Sequence, residues 1–115
     1  MTNVHELTSE QDWQDIKAKA DADKPVFVFK HSTSCPISAD AFKQFNSFVE
    51  SEKGQEVSTA YVKVIESRPV SNKIAEDLDV VHKSPQIFLL KNGEVKWTES
   101  HWNITQESIE NALQS

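Results

Sequence analysis

Val26-Phe27-Val28-Phe29-Lys30-His31-Ser32-Thr33-Ser34-Cys35-Pro36-Ile37-Ser38 passes from an unbroken apolar run into a helical start. Val26 to Phe29 is too short for a helix and consists of β-branched and aromatic residues. It predicts a strand buried on both faces, of the kind found in sheets covered by helices. Pro36 suits the first helical position, because its φ is already fixed and its missing N–H would go unused. Cys35, the only cysteine of the chain, therefore stands just before the first turn of a helix. Backbone N–H groups with no intrahelical partner and the helix dipole favour a thiolate there. The plain alternative is a small inert core residue, a common fate of a free cysteine.

Toward the N-terminus, residues 8–22 predict a helix capped by Thr8 or Ser9, with Glu10 and Asp12 in its first turn and Trp13, Ile16 and Ala20 on one face. Lys24-Pro25 breaks that pattern. Toward the C-terminus, Ala41, Phe42, Phe45, Phe48 and Val49 recur at helical spacing, which predicts a helix from Pro36 to Lys53 stopped by Gly54. Val57 to Ile65 follows as a strand, completing a βαβ unit with a right-handed crossover. Arg68-Pro69 opens a further helix with Val70, Ile74, Ala75 and Leu78 on one face. Strands at Gln86–Lys91 and Glu94–Thr98 are joined through Asn92-Gly93, a strong hairpin signal, and so must be antiparallel. A last helix is capped by Thr105, carries Glu107 in its first turn and has Ile104 placed to staple onto Ile109, with Leu113 completing its apolar face.

The order of elements is α, β, α, β, α, β, β, α. Parallel strands, then a hairpin, with helices for both faces, resemble thioredoxin. The expectation is an α/β thioredoxin-like fold: a four-stranded mixed sheet with helices on both faces, in one domain over residues 1–115. A length of 115 residues and a mass of 13.0 kDa suit one domain with a real core. The net charge of −6 argues against nucleic-acid binding through a general basic surface, which depends on neutralising phosphates. The N-terminal residues have neither the basic nor the apolar region of a signal peptide, and no apolar stretch approaches a membrane span, so the expected location is the cytoplasm. One cysteine cannot close an intramolecular disulfide, and any disulfide it forms needs another molecule.

In the thioredoxin fold a reactive cysteine follows the first central strand at the start of a long helix. A proline, usually cis, opens the third central strand across from it. Ser84-Pro85 before Gln86-Ile87-Phe88 takes that place, although an ordinary trans proline is the commoner state at a strand start. Cys35-Pro36-Ile37-Ser38 is a C-x-x-C pattern with serine in the second cysteine's place, so a mixed disulfide on Cys35 must wait for an outside thiol. Ser38 can offer its N–H and hydroxyl to the Cys35 sulfur, or simply be solvated. Lys30, His31, His82 and Lys83 form either a local basic rim that lowers the thiol pKa and attracts an anionic thiol, or scattered solvated cations. The strand after Asn92-Gly93 should bring Ser100-His101-Trp102-Asn103 toward the thiol. His101 is then a candidate for proton transfer or ligand binding and Trp102 for a wall of the site, with packing as the plain reading of both. Four histidines without ligand spacing and one cysteine make a poor metal site, and neither a Gly-rich phosphate loop nor a G-x-S-x-G elbow is present.

Thr33-Ser34-Cys35-Pro36-Ile37-Ser38, Arg68-Pro69-Val70-Ser71-Asn72, Ser84-Pro85-Gln86, Lys91-Asn92-Gly93-Glu94 and Ser100-His101-Trp102-Asn103-Ile104-Thr105, in this order, resemble the monothiol bacilliredoxin family. The resemblance spans nearly the whole chain. It implies a thiol-disulfide oxidoreductase that removes bacillithiol from S-bacillithiolated client proteins, with Cys35 as nucleophile and bacillithiol as co-substrate, and no metal. A second bacillithiol would reset the protein, and an NADPH-dependent flavoprotein bacillithiol disulfide reductase would act indirectly. The expected substrate-binding residues are Lys30, His31, Ser34, Pro36, Ser38, Lys83, Ser84, Pro85, His101 and Trp102, the basic ones facing the malate of bacillithiol. Two other readings stand beside it: a monothiol glutaredoxin-like iron–sulfur carrier, disfavoured by Pro36-Ile37 where that family has Gly-Phe, and an adaptor whose cysteine is structural.

Overall fold

The computed structural model describes residues 4–20, 25–92 and 94–114. Its elements are β1 (Val4–Glu6), α1 (Glu10–Lys19), β2 (Val26–His31), α2 (Pro36–Glu50), α3 (Glu52–Gln55), β3 (Ser58–Lys63), α4 (Arg68–Leu78), β4 (Gln86–Lys91), β5 (Glu94–Ser100), a 3₁₀ turn (His101–Asn103) and α5 (Gln106–Gln114). The sheet has five strands in the order β1-β3-β2-β4-β5. β1 and β2 run parallel to β3, whereas β4 is antiparallel to both β2 and β5. This is the expected thioredoxin-like fold, with one strand more than the four anticipated. The addition is β1, a three-residue strand too short to show a period, which exists only through its pairing of Val4, His5 and Glu6 with Thr59, Ala60 and Tyr61.

β2 is the strand buried on both faces, and its alternation sorts the core into two layers. Val26 and Val28 join Trp13, Ile16, Val70, Ile74 and Phe88 under α1 and α4. Phe27 and Phe29 join Phe45, Phe48, Ile87, Ile109 and Ala112 under α2 and α5. Each fully buried phenylalanine contributes roughly 2 kcal/mol by leaving water. α1 is held to α4 by the Trp13 indole, which donates to Asp77 Oδ2 at 2.8 Å. Lys73 also pairs with that carboxylate.

Several boundaries move. α1 begins at Glu10 behind Ser9, whose hydroxyl accepts the Asp12 N–H, and Ala20 ends it. Residues 21, 22 and 24 lie outside the described residues, as does Gly93 of the hairpin. Asn92 takes the positive φ of 55° that such a turn demands, and Lys91 pairs with Glu94 across it. The long helix ends at Glu50 rather than Lys53, because Ser51 adopts an extended conformation and caps the short α3. Gly54 is therefore no stop signal. It lies inside α3, where a β-carbon would run into the Phe48 carbonyl and the Val49 Cα. α4 ends at Asp79 in the left-handed region, with φ 53°. Ile104 and Ile109 are buried in the same layer, as the staple requires.

Candidate functional site: a lone thiol at a helix start

The C-terminal ends of β2 and β3, the start of β4 and the end of β5 meet at one end of the sheet, because β4 alone reverses direction between its neighbours. Cys35 emerges there. It is the N-cap of α2, with φ −110° and ψ 121°, it is half-buried, and Pro36 follows in the first turn. A tight turn precedes it, closed by the Cys35 N–H donating to the Ser32 carbonyl at 3.2 Å. Ser34 and Pro36, on either side, are both exposed.

Ser84-Pro85 is cis and leads directly into β4, the strand hydrogen-bonded to β2. The Pro85 carbonyl accepts the N–H of His101, so the turn after β5 abuts the prolyl segment. His101 has φ 55°, and both it and Trp102 are exposed, Trp102 by 66%. Between α2 and this turn runs a groove of about 300 Å³ lined by Asp40, Ala41, Lys43, Gln44, His101 and Trp102. The structure thus brings Cys35, Pro85, His101 and Trp102 to one end of the sheet.

The basic rim does not form as anticipated. Lys30 is completely buried and points away from α2, into the α1/α4 layer, with Nζ 5.9 Å over the Phe88 ring and 3.0 Å from His82 Nδ1. Burial pushes its pKa down to about 8. His82 is likewise held below the usual histidine value, by burial first and then by the charges of Lys30 and Arg68. His31 is buried in the other layer, stacked on Phe42 with ring centroids 4.3 Å apart. Its pKa is lowered mainly by burial. Of Lys30, His31 and Lys83, the strand and loop residues expected to face the ligand, only Lys83, exposed in the loop before Pro85, remains as a solvent-facing charge.

Ser38 also departs from the expected role of hydroxyl donor to the sulfur. Fully buried, its Oγ accepts the Ser32 N–H at 2.8 Å and lies 2.8 Å from His31 Nδ1. Because Oγ already accepts from Ser32, its own hydrogen suits a neutral His31 that carries its ring proton on Nε2. Ser38 therefore shapes the turn that carries the thiol. Another tie was not foreseen: Thr33 Oγ1 donates to the Glu66 carboxylate at 3.0 Å. No sequence signal links two exposed residues so far apart in the chain. Ser84 Oγ, in contrast, is buried with no hydrogen-bond partner among the described residues. No group of three or more metal-ligating side chains occurs among the described residues, and none of their helices is long and apolar enough to cross a membrane.

Fold and family place the chain among thioredoxin-like thiol oxidoreductases, and its single cysteine stands at the start of α2. A solved structure described as a candidate oxidoreductase with a thioredoxin fold is 35% identical, covering 96% of this chain and 93% of its own, with a TM-score of 0.82. Thioredoxins of Malassezia sympodialis and Fasciola hepatica share the fold at 17% and 14% identity, with TM-scores of 0.77 and 0.75. The first covers 99% of this chain and 90% of its own, the second 96% of each. The model of the monothiol bacilliredoxin family BrxC matches residues 5–109, and the chain belongs to that family.

Proposed function

We propose that this protein removes bacillithiol from S-bacillithiolated proteins in the cytoplasm, with Cys35 as the catalytic residue. The observation that carries the reading is one accessible thiol at a helix start, at the end of the sheet where Ser84-Pro85 leads into β4, with no second thiol in the chain. Cys35 Sγ, deprotonated, attacks the bacillithiol sulfur of the client's mixed disulfide. The S–S bond to the client breaks, a Cys35–bacillithiol disulfide forms, and the client cysteine leaves as a thiolate that takes up a proton from water. A second bacillithiol thiolate then attacks that disulfide, frees Cys35 and yields bacillithiol disulfide. Reducing this product takes two electrons from NADPH through a separate flavoprotein reductase.

Three features of the surroundings support a protein client bearing a small anionic adduct. The large apolar residues exposed among the described ones, Ile65, Val81 and Trp102, belong to three loops at the thiol's end of the sheet. At that end they offer a client protein apolar surface to bury. The groove between α2 and Trp102 has room for a small adduct. Of the expected rim, Lys83 is the cation left to meet the malate carboxylates.

The test is to incubate the protein with one client carrying bacillithiol and the same client carrying glutathione, and to follow by mass spectrometry which adduct moves onto Cys35. Transfer of bacillithiol in preference to glutathione is expected, and Cys35→Ser should show none. Transfer of neither adduct overturns the exchange reaction, and equal transfer of both overturns the specificity. Lys83→Glu should slow bacillithiol transfer about fivefold at low salt and less at high salt, where exposed charges are screened.

A further inference from the structure

The loop between α4 and β4 carries Val81, His82, Lys83 and Ser84 to the cis prolyl bond, and it has no regular secondary structure of its own. What holds it comes from beneath. Lys30 on β2 and Gln86 on β4 stand opposite each other in the antiparallel register and so share the α1/α4 face of the sheet. Both are buried polar residues, at 0% and 4% exposure. Both reach into the same three loop residues. Gln86 Oε1 accepts the Lys83 N–H at 3.1 Å and Gln86 Nε2 donates to the Val81 carbonyl at 3.4 Å, while Lys30 Nζ meets His82 Nδ1 at 3.0 Å between those two anchors.

A lysine is an expensive way to fill that position. Among the described residues no carboxylate pairs with Lys30, and the buried residues of its layer are mainly apolar, so a methionine or leucine would suit the packing better. What Lys30 provides and an apolar residue cannot is a donor for His82. An ammonium has protons to donate and no lone pair, so it makes His82 accept through Nδ1 and keeps that ring neutral while the contact lasts. The loop is thereby tied at three consecutive residues immediately before Ser84-Pro85, on the face of the sheet opposite the helix that carries the thiol.

We propose that Lys30, together with Gln86, is a positioning residue for the exchange reaction: the two side chains hold the 81–84 loop, and with it Ser84 and Pro85, in the arrangement a client segment meets beside Cys35. The proposal rests on the reading of the site as a thiol-exchange centre for protein clients. Lys30 does not touch the reacting sulfurs. Its effect should appear where the loop is used and vanish where only a sulfur is needed.

The experiment compares two substrates, a bacillithiolated protein client and 2-hydroxyethyl disulfide, which presents little beyond a sulfur pair, in wild type, Lys30→Met, His82→Phe and the double variant. Each single variant should lower the ratio of client rate to small-disulfide rate about tenfold, and the double variant should lower it no further, as expected for two ends of one contact. His82 lies in an exposed loop, so His82→Phe carries the test even if Lys30→Met fails to fold. An unchanged ratio in His82→Phe, or single effects that multiply in the double variant, overturns the proposal. Wild type that exchanges with the small disulfide but with no bacillithiolated client would instead overturn the functional reading on which it rests.

Discussion

Lys30 and His31 are neighbours on one strand, both basic and both withdrawn from water, yet they face opposite layers and are handled in opposite ways. His31 is satisfied as a neutral ring: it stacks on Phe42, and Ser38 Oγ lies against its Nδ1. That arrangement costs little, because burial opposes only a charge the ring does not need. Lys30 keeps its charge at neutral pH in a mainly apolar layer, with a histidine and the face of Phe88 against it and no carboxylate among the described residues. The difference separates a polar contact that builds the turn carrying Cys35 from one that opposes folding and that we propose is kept for the loop it holds.

The largest effect should come from removing the costly partner. The folded Lys30 has a pKa of about 8 against the ordinary 10.5, so between those values the unfolded chain holds a proton that the folded chain has released. Stability therefore rises with pH across that window, and at pH 7, where both states are charged, the full penalty of roughly 3 kcal/mol applies. Lys30→Met should be more stable than wild type at pH 7 by about 2 kcal/mol after loss of the His82 bond, and the gain should shrink by about pH 10. Urea unfolding at both pH values measures it. A variant no more stable at pH 7 would break the contrast between the two residues. A stabilised variant that handles protein clients more slowly would sharpen it, since a purely structural residue does not trade in that direction.

On the His31 side the sign reverses. Ser38→Ala leaves the Ser32 N–H and His31 Nδ1 without the partner they share, and unsatisfied buried groups of this kind cost about 2 kcal/mol. Urea unfolding of this variant should show a loss of that size with no dependence on alkaline pH. Wild-type stability should also fall as the pH drops below about 6.5, because burial holds both His31 and His82 below their unfolded pKa, so the unfolded chain binds the protons first. A flat acid limb would mean that neither ring is held neutral by the fold.

The two residues also mark where reading the sequence stops. Val26 to Phe29 declared a buried strand by apolar content alone, the C-x-x-S pattern at a helix start pointed to Cys35, and Ser84-Pro85 before an apolar strand pointed to the facing proline. Those signals are local. Lys30 and His31 read as a solvent-facing rim because a basic residue at a strand exit is ordinarily solvated. Their burial depends on partners at His82, fifty-two residues away, and at Ser38, whose hydroxyl looked equally fit for the sulfur. β1 was missed because its three residues make sense only beside β3, and Gly54 was misread because its need for space comes from the end of α2 rather than from a turn.

The smallest effect should belong to a side-chain tie at this end of the sheet that lies in water. Thr33 Oγ1 donates to Glu66 and so joins the turn carrying Cys35 to the loop after β3. Both residues are exposed, so water competes for the bond on each side and little is lost when it breaks. Thr33→Val should shift unfolding by less than about 0.5 kcal/mol, and the shift should not change with pH between 7 and 10. A loss comparable to that of Ser38→Ala would mean that the thiol-bearing turn is held from outside by the Glu66 loop as much as from beneath by Ser38. Stability at this end of the sheet would then no longer divide between a buried neutral network and a buried charged one.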